Sequence, residues 1–89
     1  MKNYYVMWEA NGNSTNGKLG PYKSKKQAIA DGRRVVVGNQ FVGGSSGGFS
    51  VELHQGDERT VVFAETVTIR DNGNLILKRC HDAEGTRIF

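Results

Sequence analysis

The adjacent pair Cys80-His81 is the part of this chain closest to a catalytic nucleophile with its base. A nucleophilic cysteine needs a general base beside it in space. Neighbours in a strand point to opposite faces, so these two side chains cannot act on each other. His54 can approach Cys80 from another strand, but no residue suggests itself as an oxyanion stabiliser. We therefore interpret Cys80 as a half-buried structural cysteine and predict no catalytic residues.

Metal binding by Cys80, His81, His54 and Asp82 is the second chemistry to weigh. Structural zinc sites carry paired ligands at short, regular spacing, and a single cysteine supplies no such pair. The glycine-rich stretch Gly43–Gly48 is not a phosphate loop, because no Gly-Lys-Ser/Thr follows and it precedes a strand. The sequence therefore predicts neither a metal nor another cofactor.

Glu65 interrupts the apolar face of a predicted strand, between Phe63 and Val67. A general acid with a raised pKa would need a second carboxylate and a cleft, and the sequence indicates neither. The strand register argued below places Arg79 opposite Glu65. We interpret the two as a structural ion pair.

Positive charge is concentrated in the first forty residues. Seven basic and two acidic residues give this part a net charge of +5, whereas residues 41–89 carry −2. Such a positive side can serve a polyanion or an acidic protein surface, although a plain solvated helix face has the same composition. The predicted binding residues are the cations on the outer side of the helix described next, namely Lys23, Lys26, Arg33 and Arg34.

One segment, running from about Lys25 to Val37, is predicted to be helical. Ser24 and Gln27 have the spacing of a capping box, and Gly38-Asn39 is typical of a helix end. The buried stripe at helical spacing is predicted to be Ala28, Ile29, Gly32, Val35 and Val36. The opposite side carries Lys26, Ala30, Arg33 and Arg34.

Two further expectations concern this helix. Gly32 predicts a close approach of the helix to the sheet, with a large residue such as Trp8 or Phe63 above it. The β-branched run Val35–Val37 predicts that the helix ends early.

The rest of the chain has strand-like alternation and turn residues. The stretch Gly43–Gly48 is predicted to be a flexible connector. The predicted strands are Lys2–Glu9, a short return strand Lys18–Tyr22, Phe49–Gln55, Arg59–Arg70 and Asn74–Cys80. A further short strand, Thr86–Phe89, can follow the turn residues Asp82–Gly85.

The register of the last hairpin follows from its turn. A three-residue loop, Asp71-Asn72-Gly73, with Gly73 in the left-handed conformation, keeps the apolar residues of both strands on one face. The predicted pairs are Ile69 with Leu75, Val67 with Leu77 and Glu65 with Arg79.

The predicted fold class is α+β, with an antiparallel sheet of four to five strands and one helix packed on one face, in the order β-α-β-β-β. The chain is predicted to form a single domain, residues 1–89. No segment reaches the ~20 apolar residues of a membrane span, and the N-terminus does not resemble a secretion signal. A single cysteine fits a reducing compartment, so we expect a cytoplasmic protein with no membrane partner.

Two functions fit these features. The first is a small non-enzymatic interaction protein that binds a macromolecular partner, such as a protein with an acidic surface. Small phage and mobile-element inhibitors of host machinery share this size and layout, by analogy only. The alternative is a nucleic-acid-binding module that combines the basic helix side with Tyr4, Tyr5, Trp8 and Tyr22. The ribonucleoprotein strand motif is absent, and the small core needs most of these rings. The oligomeric state does not follow from the sequence.

Overall fold

The computed structural model describes residues 2–11, 15–39, 46–70 and 74–81, with the backbone alone at 80 and 81. A five-stranded antiparallel sheet has the strand order β2-β1-β3-β4-β5, and one helix packs on one of its faces. The predicted α+β class and the strand, helix and meander order are confirmed, and the short return strand is present as β2. The elements are β1 (Lys2–Ala10), β2 (Thr15–Tyr22), α1 (Lys25–Asn39), β3 (Ser46–Gln55), β4 (Glu58–Ile69) and β5 (Leu75–His81).

Helix α1 begins at the predicted cap. The Gln27 N–H donates to Ser24 Oγ at 3.1 Å, which satisfies one of the amides that a helix start leaves without a partner. The prediction of an early end at Val37 is wrong, because α1 continues to Asn39. Asn39 Nδ2 donates to the Val35 carbonyl at 2.8 Å, and Asn11 Nδ2 donates to the Asn39 carbonyl at 2.6 Å. These two bonds satisfy carbonyls of the last turn and offset the weak helix propensity of the valine run.

The core lies between α1 and the centre of the sheet. Three of the five predicted stripe residues, Ala28, Gly32 and Val36, are buried, while Ile29 and Val35 are half-buried. The sheet contributes the other buried apolar residues of this cluster, which are Val6, Phe49, Val51, Phe63 and Val67.

Gly32 marks the predicted close approach, but the ring above it belongs to Phe49, not to Trp8 or Phe63. A Cβ built on Gly32 would lie 2.4 Å from Phe49 Cδ2. The missing side chain therefore makes room for a ring of β3. Its absence compensates for the ~1 kcal/mol of helix propensity that glycine loses relative to alanine.

The predicted register of the last hairpin is confirmed. Ile69 pairs with Leu75, Val67 with Leu77 and Glu65 with Arg79. The Arg70 N–H donates to the Asn74 carbonyl at 2.9 Å and closes the turn. The three loop residues, including Gly73 and its predicted left-handed conformation, lie outside the described residues, as do Asp82–Gly85 and Thr86–Phe89.

The predicted flexible connector Gly43–Gly48 is wrong over its last three residues, because β3 begins at Ser46 and not at Phe49. Gly48 pairs with Glu9 on one side and Thr66 on the other. A Cβ on Gly48 would lie 2.8 Å from the Glu65 carbonyl oxygen, so this position brings two strands unusually close. The first three residues of the stretch lie outside the described residues.

The helix covers only part of its face of the sheet. Within the described residues it contacts β1, β2, β3 and β4, but not the outer strand β5. No described residue forms a helix on the opposite face of the sheet. The fold therefore leaves three kinds of surface for binding, which are the outer side of α1, the open sheet face and the β5 edge.

Candidate functional site

Arg33, one of the four predicted binding residues, is engaged with the sheet. Its Nε donates to Glu65 Oε1 at 2.6 Å and its Nη2 to Oε2 at 2.7 Å. Glu65 is buried, with 4% of its surface exposed. The prediction that Arg33 points away from the core is wrong, because residue 33 lies one turn after Ile29 and shares its side of the helix. Its long side chain reaches down over that edge to β4.

The predicted partner of Glu65 is also corrected. Arg79 lies opposite Glu65 in the register, as predicted, but its guanidinium carbon is 5.3 Å from the centre of the Phe63 ring. The carboxylate instead takes the two-pronged bond from Arg33. That bond raises the pKa of Arg33 above its usual value, although burial acts in the opposite direction. Charge-assisted bidentate bonds of this kind are the strong ones, so the pair joins α1 firmly to β4.

Arg34 is likewise paired, on the other side of the helix. Its Nη1 lies 2.7 Å from Asp31 Oδ1, and 76% of its side chain is exposed. Burial raises the pKa of Tyr22 above its usual value, and a side-chain hydrogen bond to Asp31 raises it further. Tyr22, Asp31 and Arg34 therefore form one small polar cluster where β2 leads into α1. The pairing reduces the charge that Arg34 offers to a partner.

Lys23 and Lys26 are exposed, as predicted. Among the described residues no carboxylate is placed in an ion pair with either of them. Lys26 borders a shallow groove of about 500 Å³ on the side of α1. Its lining, called here the helix groove, combines aliphatic and cationic side chains, namely Lys25, Lys26, Ile29, Ala30 and Arg33. The geometry suits a partner that presents a carboxylate beside an apolar group.

The open sheet face carries a row of stacked side chains across three strands. Lys18 Nζ lies 4.8 Å from the centre of the Tyr5 ring, and the Tyr5 and His54 rings are 4.3 Å apart. His54 Nε2 lies 2.9 Å from Glu52 Oε1. His54 is thus held by Tyr5 and Glu52, while the side chain of Cys80, which the sequence suggested His54 can approach, lies outside the described residues.

The aromatic rings considered for nucleic-acid binding are mostly occupied. Tyr4, Trp8 and Tyr22 pack against the core cluster, and Tyr5 lies between Lys18 and His54. A free stacking platform needs an exposed ring face. Each of these four rings is already in contact with the core, with a cation or with another ring, so the exposed stacking surface that the sequence pattern suggested is reduced.

A second groove, of about 340 Å³, crosses the open face over β1, β3 and β4. Gly48 lies in its lining, where the absence of a side chain leaves room between neighbouring strands. Its side-chain lining mixes Met7 and Ala64 with Glu9, Ser50 and Thr66. The groove is open and chemically mixed, so it indicates no particular ligand.

The β5 edge is a surface that sequence reasoning missed. Leu75, Ile76 and Leu77 are 48%, 37% and 44% exposed, and they are the large apolar residues with substantial exposure in the described part of the chain. The available signal was the run of three consecutive apolar residues, which must place apolar side chains on both faces of a strand. A helix on one face cannot cover both.

Neither a metal-binding cluster, nor a membrane-spanning helix, nor a known relative adds to these surfaces in the part of the chain that the structure describes. Among the described residues, no group of three or more histidine, cysteine or acidic side chains is placed to hold a metal ion. Nor is any described helix long and apolar enough to cross a membrane. No protein-family model, curated protein or solved structure matches this chain.

Proposed function

We propose that this protein is a small non-enzymatic binding protein and that the helix groove receives an acidic segment of a partner protein. The observation that carries the proposal is the groove itself, in which Lys26 lies beside Ile29 and Ala30. The lysine supplies charge for attraction, and the aliphatic side chains supply surface that water leaves on contact. An inhibitor that blocks a protein of a host cell by occupying an acidic site is one concrete form of this function. The single cysteine fits a cytoplasmic setting.

A protein partner is favoured over nucleic acid by the pairing of the cations. Arg33 is neutralised by Glu65 and Arg34 by Asp31, which leaves Lys23 and Lys26 as the exposed predicted cations without such a partner among the described residues. Affinity for nucleic acid comes mainly from many phosphate contacts. The aliphatic part of the groove lining, Ile29 and Ala30, contributes little to a contact with a phosphate backbone, but it can be buried against a protein partner.

The test uses a pair of variants matched in charge. Lys23→Gln with Lys26→Gln removes two cations beside the groove, and Arg59→Gln with Arg70→Gln removes two exposed cations from the β4 strand and its end. Wild type and both variants are titrated, in ¹⁵N-labelled form, with a twelve-residue peptide of alternating Glu and Leu. We expect peptide-induced shifts at Ile29 and Ala30 in the wild type and the control, and their loss in the lysine variant.

Two further measurements separate the outcomes. The peptide shifts should shrink with added salt, since the Debye length falls from ~10 Å at 0.1 M to ~3 Å at 1 M. The same titration with a twenty-nucleotide single strand should give much smaller shifts. Tighter binding of the oligonucleotide, with a steep log–log salt dependence, would establish the nucleic-acid module instead. Equal peptide shifts in all three proteins would exclude the helix groove as the contact.

A further inference from the structure

The two edges of the sheet differ in how they resist pairing with another strand. Edge strands are commonly protected by proline, by charge or by irregular backbone. At the β2 edge, Pro21 lacks an N–H, Gly20 has φ +132°, and the register with β1 shifts between Tyr4 and Val6. The β5 edge pairs evenly with β4 from Leu75 to Arg79. The register shifts only beyond Arg79, between Glu65 and Ala64 of β4, and the exposed cations Lys78 and Arg79 lie at that end of the strand. From Leu75 to Leu77 the described part of β5 therefore offers a regular strand with exposed apolar side chains.

The hydrogen-bond pattern fixes which backbone groups of β5 point outward. In an antiparallel pair, residues alternate between those bonded to the neighbouring strand and those directed away from it. The Arg70 N–H bonds the Asn74 carbonyl, and Thr66 Oγ1 bonds the Lys78 carbonyl, so the even-numbered residues of β5 face β4. The N–H and C=O groups of Leu75, Leu77 and Arg79 consequently face away from β4, toward a side on which no further strand lies among the described residues.

We propose that β5 pairs with β5 of a second copy of this chain, antiparallel and with the two-fold axis at Ile76. Only the odd-numbered residues of β5 direct their N–H and C=O groups to this edge. Hydrogen-bonded pairs between the two copies must therefore form between odd-numbered residues, and this leaves only a few positions for the two-fold axis. With the axis at Ile76, Leu75 of each copy bonds Leu77 of the other, and the two Ile76 side chains meet. An axis at Leu77 would instead set Leu75 against Arg79 and Ile76 against Lys78.

The sequence Asn74-Leu75-Ile76-Leu77-Lys78 is what makes a second copy the fitting partner. About an axis at Ile76 its apolar centre, Leu-Ile-Leu, meets itself, so the patch is self-complementary in the way an isologous interface needs. Lys78 of one copy lies opposite Asn74 of the other, so no lysine faces a lysine. Both helices lie on the same face of the resulting ten-stranded sheet. A dimer would therefore present two helix grooves on one side.

The contact is small, which determines its strength. Stable dimers bury ~800 Å² per partner, far more than three half-exposed side chains supply. We expect a weak dimer whose dissociation constant lies between about 10 µM and about 1 mM. The protein should therefore change from monomer to dimer over this range of concentration. Sedimentation equilibrium should show the mass rising from 9.8 kDa toward twice that value.

Two variants test the edge. Ile76→Lys sets like charges opposite each other across the axis, so the dissociation constant should rise at least about tenfold. Leu77→Pro removes an outward N–H, and proline is tolerated on an edge strand only where its N–H faces solvent, so this variant should fold and remain monomeric. Thr60→Lys, an equal positive charge on an exposed part of β4, is the control and should dimerise like the wild type. Circular dichroism reports whether each variant is folded.

The register is tested by cross-linking in a Cys80→Ser background. Ile76→Cys should form an intermolecular disulfide under mild oxidation, because paired non-hydrogen-bonded residues lie within disulfide distance. Leu77→Cys should not, since its counterpart is offset by two residues along the strand. A protein that stays monomeric at 1 mM overturns the proposal. So does concentration-independent protection of the Leu75, Leu77 and Arg79 amides, which would show that another segment of the same chain occupies the edge.

Discussion

Replacing Arg33 with alanine tests the ion pair that joins α1 to β4. The change leaves Glu65, whose side chain is 3% exposed, as a buried carboxylate without its cation. Removing one partner of a fully buried pair costs ~3–5 kcal/mol. Arg33 is itself 40% exposed, so water can reach part of the vacated space and the loss should be smaller. We expect the free energy of unfolding to fall by about 2–4 kcal/mol.

The neighbouring residue gives a matched control. Arg34→Ala deletes the same side chain from the same helix and also breaks a bond to a carboxylate. That pair is exposed, so its loss should cost only ~0–1 kcal/mol. Helix propensity changes equally in the two variants and cancels in the comparison.

Urea unfolding followed by circular dichroism measures both free energies. In thermal melts the Arg33 variant should lose ~10–30 °C, at ~4–8 °C per kcal/mol for a domain of this size. A double variant, Arg33→Leu with Glu65→Leu, should recover most of the loss because it leaves no buried charge. If Arg33→Ala were no more costly than Arg34→Ala, the ion pair would not be a stabilising link and the reasoning would be refuted.

Two further predictions concern packing and pH. Gly32→Ala should destabilise the protein by ~1–3 kcal/mol, because the added methyl group would overlap the Phe49 ring. Gly38→Ala, which has open space around it, should stabilise the protein by ~0.5–1 kcal/mol. Equal denaturation midpoints for the two variants would contradict the close approach of α1 to Phe49. The raised pKa of Tyr22 means that its contribution to stability is complete below pH 10.0 and is lost as pH rises through the raised value. Stability measured from pH 9 to 12 should therefore fall less steeply in Tyr22→Phe, and Asp31→Asn should move the Tyr22 absorbance step at 295 nm to lower pH.

The predictions that succeeded rest on local chemistry. The Ser24 cap and the pairing of Ile69 with Leu75 each depend on a few neighbouring residues and on the geometry of one turn. Such signals involve only residues that are neighbours in the sequence, so they can be recognised without knowing how the elements pack. The same holds for Gly32, whose small size predicted a close approach even though it could not identify Phe49 as the ring above it.

The predictions that failed depend on how the elements are placed together. The outward orientation predicted for Arg33 assumed that a cation near the helix surface faces solvent, but a side chain of this length can reach a buried carboxylate on β4. The sequence likewise does not indicate that α1 covers four strands and leaves β5 outside. Of the four predicted binding residues, Lys23 and Lys26 alone remain exposed and without an ion-pair partner among the described residues.

The pairing of β1 with β3 has a consequence for how the chain folds. Hairpins join β1 to β2, β3 to β4 and β4 to β5, so these pairings bring together residues close in sequence. The β1–β3 pairing instead joins Lys2 to Gln55 and Glu9 to Gly48, across the whole of β2 and α1. Closing so long a loop costs entropy before its contacts repay it, and contacts distant in sequence slow folding.

We therefore expect the transition state for folding to be the joining of two locally formed halves along this pairing. Val6 and Val51 face each other there and are fully buried. Trimming either of them should mainly slow folding, whereas trimming Leu75 at the outer edge should mainly speed unfolding. The rate of folding and the rate of unfolding would thus be governed by different strands of one small sheet.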